Sequence, residues 1–139
     1  MEWTVPEEAQ FLAANEYYGL ILGRLADERG VHAETAISAA ARMAGTFMLR
    51  SFGLPLEGME PGSAVLSEAA NDRGPLLLNT LGAGLNALDV VLDPDRIRSD
   101  FPDDNRPHLS VTEVQERLEA PMREVAVKHH LGDEQAAHA

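Results

Sequence analysis

Five histidines, His32, His108, His129, His130 and His138, are the side chains of this 139-residue sequence best suited to proton transfer near neutrality or to metal ligation. His130, Glu134 and His138 are spaced by four, so an unbroken helix would stack them on one face. Gly132 and Asp133 interrupt that run. His129, His130 and Glu134 are the candidate metal ligands, and the plainer alternative places the two histidines at a helix C-terminus, where a cation favours the macrodipole. Neither Glu-x-x-His nor His-Glu-x-x-His occurs, which removes the ligand sets of di-iron bundles and zincin peptidases. No metal and no cofactor is expected.

Other chemistry finds less support. Asp93, Asp95, Asp100, Asp103 and Asp104 offer oxygen ligands, but prolines break the segment, no glycine stands at the sixth position of an EF-hand loop, and Arg96, Arg98 and Arg106 interleave with the acids. Glu113, Glu116 and Glu119 resemble one half of a carboxylate magnesium site without the opposing acidic step, and fit the wet face of a helix. There is no Gly-x-Ser-x-Gly elbow, no Ser-x-x-Lys pair and no phosphate-cradling loop around Gly82 and Gly84. His32, Arg42, Arg50, Asn79 and Asn86, with His129 as an addition, are the groups that a pocket between helices would use. Arg42 and Arg50 would otherwise pair with acids such as Glu16 or Asp27.

The composition sets the frame. Eleven basic residues against 23 acidic ones give a formal charge of −12, which opposes binding to nucleic acid and to anionic membrane surfaces. Without cysteine there is no disulfide, thiol nucleophile or thiolate metal site. The most apolar stretches, residues 75–92 and 36–56, contain Asn79, Asn86 and Asp89 or Arg42 and Arg50, so neither reads as a membrane span. The opening residues carry no basic region followed by an apolar run, and a cytoplasmic location is expected.

Twenty Ala and 18 Leu against 17 β-branched residues favour helices over strands. A capping box at Thr4 to Glu7 opens a first helix over about residues 6–29, with Phe11, Ala14, Tyr18, Ile21, Leu22 and Leu25 as its stripe and Gly30 as its stop. A second helix spans about residues 32–52. It holds no acid between Thr35 and Leu56, its stripe is Ile37, Ala40, Ala41, Ala44, Phe47 and Met48, and Met43 adds apolar surface elsewhere, so it is central or lies between a core and a partner. Ser63 caps a short helix ending near Asn71, and a turn through Asn71 to Pro75 leads into a helix with a leucine seam at Leu78, Leu81, Leu85, Leu88 and Leu92. A surface loop occupies about residues 93–108. A second capping box, Ser110 to Glu113, opens the last helix, with Val111, Val114, Leu118, Met122 and Val125 on one face and Pro121 as a kink or break.

The expected fold is therefore all-α: an irregular four- to five-helix bundle forming a single domain over residues 1–132, with 133–139 as a flexible tail. The expected function is non-enzymatic: an interaction protein of unknown process that self-associates as a homodimer through apolar helix faces, with another protein as a further partner. Its interface residues would be Met43, Phe47, Leu78, Leu81, Leu85 and Leu88. The alternative is an enzyme that binds a small molecule or a metal between its helices.

Overall fold

A computed structural model describes residues 7–54, 60, 67–96 and 106–139. Within them the chain forms α1 (Glu8–Leu25), α2 (Ala33–Ser51), α3 (Glu68–Ala87), a 3-10 turn (Pro94–Arg96), α4 (Val111–Lys128) and α5 (Asp133–His138), with no strand among the described residues. The fold is all-α, an irregular bundle. None of these helices is long and apolar enough to cross a membrane.

Each helix starts where a side chain satisfies an otherwise orphaned amide. The Glu7 amide donates to Gln10 Oε1 at 2.8 Å. His32 Nδ1 accepts from the Thr35 amide at 3.3 Å, and Ser67 Oγ accepts from the Ala70 amide at 3.1 Å. Ser110 and Glu113 form the expected reciprocal box. The box at Thr4 to Glu7, the cap at Ser63 and most of the acidic loop lie outside the described residues. Both Pro94 and Asp95, at the described start of that loop, are exposed.

The core is built from α1, α2, α4 and α5. Ala13, Tyr17 and Ile21 meet Ala39, Met43 and Phe47, with Val114, Leu118 and Met122 closing the third side. The central element is α2, which packs against all four other helices. That position accounts for the absence of acids in α2 beyond its first turn, where Glu34 stands, because a carboxylate on most of its later faces would lose hydration without a partner. Two threonines are buried in α2 and both are satisfied. Thr35 Oγ1 accepts from the His108 amide at 3.0 Å, and Thr46 Oγ1 donates to the Arg42 carbonyl while accepting from Gln115 Nε2 at 3.0 Å. Tyr17 Oη is the exception: it is buried with no partner among the described residues. Burial pushes the Tyr17 phenol up to about 12.

Three expectations need correction. The turn at Asn71 to Pro75 is absent, because α3 runs through it with Pro75 inside. Asn71 and Pro75 are both exposed, so the Asn71 carbonyl that loses its amide donor stays in water. At Pro121, where the sequence leaves a kink and a break both open, α4 runs through unbroken. Gly132 does not end α4. His130, at φ +58°, takes the left-handed position, while the His130 and Leu131 amides donate to the Val127 and Ala126 carbonyls. Finally, the expected tail is α5, with Ala136 and Ala137 buried against the core.

Polar ties hold α5 to three neighbours. Gln10 Nε2 donates to the Gln135 carbonyl at 2.9 Å, Arg123 pairs with Asp133 at 2.7 Å, and Arg73 pairs with Glu134 at 2.9 Å. His138 Nδ1 lies 2.6 Å from Thr80 Oγ1. These last two contacts tie α3 to α5.

Candidate functional site

One face of α3 carries large aliphatic side chains that the other described residues leave exposed. At 100° per residue, Leu78, Leu81, Leu85 and Leu88 fall within an arc of about 80°. Leu78 is 71% exposed, Leu81 57% and Leu88 74%. Leu85 is half-buried. Leu77, about 20° beyond Leu88 on the same wheel, packs on the core. Val90, Val91 and Leu92 follow α3 and are also exposed. Leu78, Leu81 and Leu88 thus make one exposed aliphatic face along α3.

Two expected interface residues lie elsewhere. Met43 and Phe47 are 0% exposed and belong to the chain's own core, so they offer nothing to a partner. Tyr17 stacks on Phe47 at 6.4 Å between ring centroids, and the Arg123 guanidinium sits 5.3 Å over the same ring. What surfaces on α2 instead is Ile37, 70% exposed.

The proposed pocket groups do not converge. His32 and Arg50 stand at opposite ends of α2, eighteen residues or about 27 Å apart along the axis. The Arg42 guanidinium donates to the Leu109 carbonyl, and Arg50 pairs with Glu119 at 3.1 Å. Both arginines therefore fasten α2 to α4 and its lead-in, rather than to acids on α1. Asn79 and Asn86 sit on α3, Asn79 half-buried and Asn86 exposed. The ring of His32 stacks on that of His108 at 4.0 Å, while His32 Nε2 faces Glu34 at 3.3 Å. A groove of about 480 Å³ between α1 and α4 opens broadly to solvent and includes none of these five candidates.

The metal candidates are likewise separated. His129 pairs with Glu16, which also holds Lys128 at 2.7 Å. Lys128 and then His129 hold the Glu16 carboxyl below its usual range. Glu134 is engaged with Arg73, and His130 is exposed in the turn after α4. Among the described residues no group of three His, Asp or Glu side chains is placed to hold a metal ion. On α4, Ser110 hydrogen bonds keep the Glu113 carboxyl below its usual range, so Glu113 acts as a cap.

Sequence reasoning missed the polar ties of α5, whose signal lay in the alternation of Asp133, Glu134 and Gln135 with Ala136 and Ala137. No family model, no curated protein and no solved structure matches this chain.

Proposed function

We propose that this chain is a non-enzymatic interaction protein that associates with a second copy of itself through the outer face of α3. The observation that carries this reading is the exposure of Leu78, Leu81 and Leu88 on one helix face. Two further features support it. Residues 74–88 contain no ionisable side chain, in a chain whose charged residues make up 24% of the whole. A copy can therefore cover that stretch without stripping water from a charge. Moreover, none of the 20 residues of α3 is buried by its own chain, so the helix gains little from packing inside one molecule.

Sedimentation over a concentration series tests the proposal. The chain is expected to pass from 15.1 kDa towards about 30 kDa, twice that mass, as concentration rises. Leu81→Gln should hold it at the lower mass without altering its helix content. A wild-type chain that stays at 15.1 kDa up to several hundred micromolar would remove the proposal.

A further inference from the structure

We infer that the two copies pair antiparallel along α3, about a two-fold axis level with Ala83, an arrangement that rests on the self-association proposed above. The four leucines are spaced 3-4-3, and that spacing is its own mirror image. Reversal about position 83 exchanges Leu78 with Leu88 and Leu81 with Leu85. An antiparallel copy thus sets Leu78 against Leu88 of the second chain and Leu81 against its Leu85. Each leucine then enters a space between leucines of the other helix, at the shallow crossing angle that such seams favour.

Formal charge favours antiparallel over parallel. One end of α3 carries Glu68, Asp72 and Arg73, a net −1, and just past the other end stand Asp89, Asp93, Asp95 and Arg96, a net −2. Glu68, Asp72, Arg73, Asp89, Asp93 and Asp95 are exposed. A parallel pair would bring the more acidic end against its own copy. The antiparallel pair instead brings the aspartates to the end that holds Arg73. It parts the two acidic clusters by the uncharged stretch, fifteen residues or about 22 Å, more than twice the screening length of about 8 Å at physiological salt.

Gly84 is compatible with such a crossing. A glycine inside a helix costs about 1 kcal/mol relative to alanine, and a Cβ at Gly84 would meet nothing within 4 Å in this chain. The fold does not need Gly84 to lack a side chain. A second helix crossing beside it does, and Gly82 and Gly84 flank the leucines at the level of the axis, where two backbones come closest.

Because the chain has no cysteine, single-cysteine variants report the register directly. Leu78→Cys and Leu88→Cys are prepared separately, each checked for unchanged helix content, then oxidised alone and as an equal mixture. The mixture is expected to form covalent dimer at least tenfold faster than either variant alone. Two copies of residue 78 are offset by about 15 Å in the antiparallel pair, beyond the roughly 7 Å that a disulfide spans between Cα atoms. Equal cross-linking of Leu78→Cys with itself would show a parallel pair and overturn the inference. If no sample cross-links while the wild-type mass is that of a dimer, the antiparallel seam is wrong and self-association stands through another surface. A monomeric wild type would overturn both.

Discussion

The two longest helices of the molecule, α2 with 19 residues and α3 with 20, are both rich in apolar side chains and meet opposite fates. In α2, Thr35, Ala39, Met43, Thr46, Phe47 and Met48 are buried, and every other helix leans on it. In α3 nothing is buried, and its ties to the other described residues include Leu77 on the core, the Arg73 and Glu134 pair and the contact of Thr80 with His138. Apolar content therefore does not decide burial. What differs is where the apolar groups point: α2 has neighbours on most of its sides, whereas Leu78, Leu81 and Leu88 of α3 face solvent and Leu77 alone of its leucines packs on the core among the described residues. A helix with no buried residue gains little from packing inside one molecule, and on the proposed reading its hydrophobic face is covered by a second copy.

Substitutions sharpen this contrast. Phe47→Ala should cost about 3–5 kcal/mol in urea unfolding, since it empties a fully enclosed site beneath Tyr17 and Arg123. Leu78→Ala, at dilutions that keep the chain monomeric, should change stability by about 0.5 kcal/mol or less. Equal costs at the two positions would erase the distinction between the helices. Next in size is Ala136→Asp, which forces a carboxylate into the α5 contact and should cost on the order of 3 kcal/mol. A negligible effect there would mean that α5 does not belong to the core.

Two smaller effects have the opposite sign. Tyr17→Phe removes a buried hydroxyl that has no partner among the described residues and should stabilise the chain by about 1 kcal/mol. Folding raises the Tyr17 phenol from 10 to about 12, so its contribution is intact below pH 10 and is lost as pH climbs from 10 to 12. Unfolding followed across that range should show the loss in the wild type and less of it in Tyr17→Phe. His130→Gly relieves a left-handed residue after α4 and should add about 0.5–1 kcal/mol, read from the urea midpoint.

How much of this was legible in the sequence depended on charge. The buried face of α4, through Val114, Leu118, Met122 and Val125, follows from periodicity because Glu113, Glu116, Arg117 and Glu124 mark the wet side. In α1 and α2 apolar residues occur around much of the helix, and periodicity fixes the element without fixing its phase. Of the expected stripe, Ile21 is buried but Phe11 and Tyr18 are exposed, and Ala13 and Tyr17 are buried in their place. The same rotation put Ile37 inside and Met43 outside the core in expectation, and the structure reverses both. Pro75 read as a boundary because an interior proline forfeits a hydrogen bond, a loss that an exposed helix tolerates. In α5, six residues are too few for a periodic signal, and its helix is secured by tertiary contacts that no local pattern announces. The seam from Leu78 to Leu88 was legible as a face open to a partner, and Leu78, Leu81 and Leu88 are exposed, whereas Met43 and Phe47, expected beside them, are core.

Amide hydrogen exchange measured at low and high protein concentration tests most directly whether the leucine face of α3 is where copies meet. Protection over residues 74–88 should rise with concentration while that of α2 stays high throughout. If α3 exchanges at the same rate at every concentration up to several hundred micromolar, or if the concentration-dependent protection falls on α1 or α4 instead, the outer face of α3 is not the association surface.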